Sequence, residues 1–335
     1  MTDAAPAPAA TDARVAVVIP CFRVRAHVLD VIARVGPEIG WIFVVDDACP
    51  EKSGELVRQQ CRDPRVTVLE HPANLGVGGA VMTGYRAALG TDALVVVKLD
   101  GDGQMDPALI PRLVRPVLAG RADYVKGNRF HRLGDNAEMP LVRLFGNAAL
   151  SFLSKLSTGY WQMFDPTNGY TAIHRAVLAL IPLERVSQRY FFESDLLYHL
   201  NQLRAVVCDL PMRAVYGSEN SGVKPLRMIW PFLRGNVGNL ARRIVSSYFV
   251  RGFSLASVEL ALGTFLMLFG VTFGIVKWWH SDVSGIPATA GTVMLAALPI
   301  ILGTQLCLSW LNFDVAAEPR QPISSLISDP SSDVP

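Results

Sequence analysis

Two stretches near the C-terminus, Ser254–Val276 and Ala288–Leu311, hold a single charged residue between them, Glu259. As a helix the first would be about 34 Å long, enough to cross the roughly 30 Å hydrocarbon layer of a bilayer. Two adjacent helices of this kind would need a large partner domain to bury them in water, so the pattern predicts a transmembrane hairpin. Lys277–Pro287 joins them, with Trp278-Trp279 suited to an interfacial aromatic belt. Arg227, Arg234, Arg242, Arg243 and Arg251 precede the first span, whereas Lys277 is the sole lysine or arginine of the connecting loop. The positive-inside rule then places the preceding domain in the cytoplasm. Between the two, Met228–Val250 mixes aromatic and apolar residues with arginines and contains no acid. It reads as an amphipathic segment lying on anionic lipid, with a solvated linker helix as the alternative.

Half of the 335 residues are hydrophobic and mean hydropathy is +0.30, and the surplus lies after residue 250. The expected organisation is a disordered Ala/Pro-rich lead-in (1–13), one globular domain (14–226), juxtamembrane helices (227–253), two spans (254–311) and a flexible tail (312–335). A net charge of +2 gives no argument for nucleic acid. Five cysteines without metal-ligand spacing fit free thiols in a reducing compartment. The N-terminus lacks an apolar signal-peptide core.

Within 14–226, apolar β-branched runs alternate with helical patterns. Arg14–Pro20, Trp41–Val45, Val66–Glu70 and Ala93–Leu99 read as strands; 26–35, 51–61 and 78–89 read as helices. This spacing means βαβ units and a mostly parallel α/β sheet, in which ligands bind beyond the carboxyl ends of the strands. Further on, 123–126, 170–174 and 205–210 are expected strands, and 140–156 and 193–203 expected helices.

Both acidic clusters fall at strand ends. Asp100-Gly101-Asp102-Gly103-Gln104 follows the run VVVKL. Two carboxylates one residue apart can hold a hard divalent cation that bridges the phosphates of a nucleoside diphosphate. Asp46-Asp47 ends the second strand, where a carboxylate can accept from a ribose or base, or cap the following turn. Asn74-Leu75-Gly76-Val77-Gly78-Gly79 opens a helix with backbone amides available to phosphate. Phe191-Phe192-Glu193-Ser194-Asp195 is a third acidic cluster, readable as a base or as helix support. Asp165 before Pro166 reads as a turn, and His131, His174 and His199 as structural.

With these segments in place the chain resembles the polyprenyl-phosphate sugar transferases of glycosyltransferase family 2, which have the GT-A fold. VVIPCF (17–22), VVDDAC (44–49), HPANLGVGGAVMTGY (71–85), KLDGDGQMDP (98–107), KGNRF (126–130) and DPTNGYTAIHR (165–175) carry the resemblance. It implies Pro20, Phe22 and Asp47 at the nucleotide, and Asp100, Asp102 and Gln104 around Mg²⁺ or Mn²⁺; Asp46 and Gly76 are further candidates at the nucleotide from their places at a strand end and a helix start. The resemblance further implies Arg129 at a phosphate, with Arg143 and Lys224 toward the lipid phosphate. Asp102 and Arg129 would then act directly in the transfer. The partners implied are a UDP- or GDP-linked sugar and a polyprenyl phosphate at a bacterial inner membrane, with a homo-oligomer through the hairpin as a further expectation. In the first loop Pro20-Cys21-Phe22-Arg23-Val24 stands where the family often shows P-x-Y-N-E. The alternative activity is transfer to a hydroxyl of a lipid-linked saccharide, with Asp195 or Glu193 as base; the non-enzymatic alternative is a membrane scaffold.

Overall fold

The structure is a computed structural model that describes residues 14–129, 141–165, 168–212 and 225–327, without the side chains of 141–149 and 225–228. Its described residues form two compact units, one comprising residues up to Asn239 together with those from Pro319 onward, the other Leu240–Glu318.

The first unit is built on a seven-stranded sheet. The strands are β1 (Val15–Cys21), β2 (Trp41–Asp46), β3 (Val66–Glu70), β4 (Val95–Lys98), β5 (Tyr124–Asn128), β6 (Thr171–His174) and β7 (Val207–Pro211). They lie in the order β3-β2-β1-β4-β6-β5-β7. Every neighbouring pair is parallel except those made by β6, which runs antiparallel to both β4 and β5. Every residue of β1, β4 and β5 is buried. Continuous runs such as VAVVIPC suit this placement, because helices cover both faces of a parallel sheet. At the edge, β3 is half-exposed throughout.

One face carries α1 (Val28–Ala33), α2 (Ser53–Gln60) and α4 (Ile110–Leu118), whose Val31, Val57 and Leu113 join Val17, Ile42 and Val97 in one apolar cluster. The other carries α3 (Val77–Leu89), α6 (Arg175–Leu180) and α7 (Phe192–Gln202), whose Val81, Tyr85, Val177 and Leu196 pack with Val18, Val45 and Val96. Helix α3 approaches β1 so closely that a Cβ at Gly84 would stand 2.2 Å from Val18 Cγ1. Two further helices are α5 (Leu141–Thr158) and α8 (Pro225–Ile244). Ser157 of α5 donates to Asn236 Oδ1 of α8 at 2.5 Å.

Residues 319–327 are the described part of the C-terminal tail. Short helix α11 (Ile323–Ile327) packs on α6. The amides of Ile323 and Ser324 donate to the buried Asp123 carboxylate at 3.0 and 2.8 Å, and Val206 N donates to the same group at 2.7 Å.

The second unit contains α9 (Leu255–Ser284) and α10 (Ala290–Ala316), both long and apolar enough to cross a membrane. They are longer than the sequence suggests, because Lys277–Ser284 continues α9 and only a five-residue turn remains, opened by Gly285 at φ +66°. Trp278 and Trp279 therefore lie on α9 rather than in a loop. The two helices meet at glycines: a Cβ at Gly270 would stand 2.7 Å from Ile300, and one at Gly303 2.7 Å from Met267. Small residues at such a contact let backbones approach without a hydrophobic driving force between the helices. Meanwhile Phe265 and Ile301 point outward, 62% and 60% exposed. Arg243 makes a bidentate pair with Asp314 at 2.7 and 2.9 Å, and Tyr248 donates to the same carboxylate.

Candidate active site

A cleft of about 510 Å³ opens at the carboxyl ends of β1, β2 and β4, within the size range of small-molecule sites. Its lining includes Pro20, Phe22, Asp47, Gly76, Asp100, Asp102, Arg189 and Tyr190. Strands β1, β2 and β4 deliver Pro20, Asp47 and the Asp100–Asp102 loop to the cleft.

Asp100 lies two residues beyond the end of β4. Its Oδ1 accepts from the buried Lys98 Nζ at 2.7 Å, and its own amide donates to Met105 Sδ at 3.4 Å. Asp102 accepts the Gln104 amide at 3.0 Å, which closes the turn, and Gly103 between them takes φ +78°, a conformation that favours glycine. Gln104 is bound into this turn by its backbone, and its side chain is not among the cleft-lining groups. Two carboxylates on one loop offer hard oxygen donors. Among the described residues no group of three or more His, Cys, Asp or Glu side chains converges as a metal cage. A cation here would therefore need oxygens from its ligand as well as from Asp100 and Asp102.

The two acids after β2 have separate duties. Asp46 accepts from Cys49 N and Gly54 N, both at 2.6 Å, and is 5% exposed. Both of its oxygens are engaged by amides of its own loop and the start of α2, and it is not among the cleft-lining residues. Asp47 lines the cleft, yet it also anchors the glycine-rich loop, accepting from Leu75 N and Gly76 N at 2.8 Å each. His71 Nδ1 lies 2.8 Å from the same carboxylate, and His71 Nε2 lies 2.9 Å from Thr83 Oγ1. An ionised Asp47 fixes the tautomer, with Nδ1 as donor.

The 187–191 segment rides on that loop. Gly79 N donates to Gln188 O at 2.9 Å, and a Cβ at Gly76 or Gly78 would stand 2.7 or 2.3 Å from the Gln188 or Ser187 carbonyl. This contact carries Arg189 and Tyr190 to the cleft rim, where the sequence reading did not place them. The signal was available only as an arginine beside an aromatic, two residues before the acidic cluster.

The acidic cluster at 191–195 supplies none of the cleft-lining residues. Asp195 is 5% exposed and accepts from Ser187 N at 2.8 Å and Asn239 Nδ2 at 3.0 Å, so it braces the segment. Glu193 instead lies with buried Lys98 and Lys126; burial pushes its carboxyl up to about 7 against the pull of the two lysines. Burial likewise pulls Lys126 down to about 8. Arg129 makes a bidentate pair with the buried Asp165 carboxylate, at 2.8 Å from Nε and 3.1 Å from the second guanidinium nitrogen. It too is absent from the cleft lining. Arg143 lies on α5 with its side chain outside the described residues, and Lys224 lies wholly outside them.

The family model for glycosyl transferase family 2 matches residues 16–181. A polyprenol monophosphomannose synthase of Mycolicibacterium smegmatis is 32% identical over 205 residues, 59% of this chain and 76% of that protein. An undecaprenyl-phosphate mannosyltransferase of Micrococcus luteus is 31% identical over 52% of this chain and 71% of its own length. Among solved structures, a glucosyl-3-phosphoglycerate synthase from Mycobacterium tuberculosis, in complex with Mn²⁺, UDP and phosphoglyceric acid, superposes with a TM-score of 0.52. It covers 69% of this chain and 78% of its own, at 20% identity, a likeness of fold. The strand order, the paired aspartates at the β4 end and these relatives agree: the chain is a glycosyltransferase of the GT-A fold and belongs to glycosyl transferase family 2.

Proposed function

We propose that the chain transfers a sugar, with inversion, from a nucleoside diphosphate sugar to the phosphate of a polyprenyl lipid at the cytoplasmic face of a membrane. The observation that carries this reading is a cleft holding Asp100 and Asp102 in a chain that also has two helices of membrane-spanning length. Relatives named for polyprenol, undecaprenyl and dolichyl phosphates support the lipid acceptor.

Pro20 and Phe22, at the end of β1, would flank the base, with Phe22 43% exposed and available for stacking. Asp100 and Asp102 would hold Mg²⁺ or Mn²⁺ together with diphosphate oxygens; a neighbour of the same fold is described with Mn²⁺ and UDP. When bound, the ion would neutralise charge on the leaving diphosphate. Arg189, in the same cleft lining, would meet the same anion as a guanidinium. A lipid phosphate is already anionic near neutral pH, so the acceptor needs no strong base. This agrees with Asp195 being committed to Ser187 and Asn239.

The test is to incubate the purified full chain with a panel of nucleotide sugars, Mn²⁺ and undecaprenyl phosphate. The expected product is prenyl-phosphate-linked sugar, lost in Asp102→Ala and with a raised donor KM in Arg189→Ala. Transfer to a saccharide hydroxyl alone would overturn the reading.

A further inference from the structure

Beneath the Asp100–Asp102 loop lies a buried charge cluster that holding a diphosphate does not by itself require. Lys98 is 2% exposed and Lys126 is fully buried. Lys98 Nζ donates to Asp100 Oδ1 at 2.7 Å and sits 5.6 Å from the Phe192 ring centroid. Lys126 Nζ donates to the Asn168 carbonyl, and the Glu193 carboxylate interacts with both lysines and with Asp100. Gly169 closes over the ion pair: a Cβ there would stand 2.0 Å from Lys98 Nζ and 3.1 Å from Asp100 Oδ2. The position tolerates no side chain while the ammonium holds its place. Burying a lysine costs free energy that an apolar side chain of similar length would not. Its presence directly beneath a cleft carboxylate has a chemical consequence.

We propose that Lys98 is a positioning residue that makes divalent-cation binding depend on the nucleotide diphosphate. By engaging Oδ1 it leaves Asp100 one oxygen for a cation, and its charge cancels that of the carboxylate it holds. With Asp100 offset in this way the loop attracts a divalent ion less than two unpaired carboxylates would, and further anionic oxygens are needed to retain it. Cation and diphosphate therefore load together. This rests on the reading of Asp100 and Asp102 as cation-binding residues, and the test below separates the two ideas.

The experiment measures Mn²⁺ binding to the full chain in detergent from the free-ion electron paramagnetic resonance signal, with and without UDP. Wild-type protein binds Mn²⁺ weakly alone and at least about tenfold more tightly with UDP. Lys98→Met, which restores the second carboxylate charge, tightens binding of Mn²⁺ alone by about tenfold and shrinks the UDP enhancement, while transfer activity falls. Gly169→Ala, which pushes the ammonium off Asp100 without removing it, moves binding the same way and decides the matter if Lys98→Met does not fold. A lysine with a purely structural role predicts weaker binding and lower activity together. The proposal is overturned if folded variants bind Mn²⁺ alone no better than wild type. Absence of Mn²⁺ binding in wild type even with UDP overturns the cation reading of the aspartates, and the proposal with it.

Discussion

Asp47→Asn separates an anchor from a ligand. The buried Asp47 carboxylate accepts from two backbone amides at 2.8 Å each, and His71 Nδ1 stands at the same distance. An asparagine of the same shape keeps one acceptor oxygen and turns an NH₂ toward the other amide. One part-buried N–H then loses its partner, at about 1–3 kcal/mol, and the remaining bonds lose charge assistance worth about 1 kcal/mol. The sum is about 3 kcal/mol, which for a unit of this size lowers Tm by about 6–12 °C. The loop Leu75–Gly76 supports the segment carrying Arg189, so donor affinity should fall as a consequence of the loosened loop. The assay is thermal unfolding of the full chain in detergent, alongside donor KM at a temperature where the variant is folded. An unchanged Tm with a tenfold higher KM would refute the anchoring role and make Asp47 a direct ligand.

Gly76→Ala meets a φ of +92° and a Gln188 carbonyl 2.7 Å from the new Cβ. It should cost about 1–3 kcal/mol and raise donor KM, read by thermal melts and initial rates. Asp123→Ala leaves three backbone amides without their acceptor. It should lower stability by about 3–5 kcal/mol and open residues after Pro319 to limited proteolysis before the rest of the chain. Glu193 titrates at about 7 when folded against an ordinary value of 4.5, so between these pH values the folded state holds a proton that the unfolded chain has released. Stability therefore falls as pH rises through that window, and Glu193→Gln should flatten the slope in melts taken from pH 5 to 7.5.

Most elements were legible because their signals are local. Runs such as VAVVIPC and VVVK bury every residue, and a period-free apolar run bounded by polar residues marks a sheet-centre strand whatever surrounds it. Helix α4 escaped because Pro111 and Pro116 interrupt its pattern, although its Ile110, Leu113, Val114 and Val117 are buried on one side. The reversal of β6 was not legible, since strand direction depends on the path of the chain between strands.

The sequence by itself determined that a parallel α/β domain precedes two membrane-length helices, and that acids stand at the ends of β2 and β4. Hydrophobic periodicity and strand-end position are properties of neighbours along the chain. Only the tertiary structure decided which acids face the cleft. Asp46 turns to its own loop amides and Asp47 to Leu75 and Gly76, while Asp195 turns to Ser187 and Asn239. It also brought in Arg189 by stacking the 187–191 segment on glycines more than 100 residues earlier. A carboxylate's role is set by the donors that reach it, and for Asp47 and Asp195 these include groups distant in sequence.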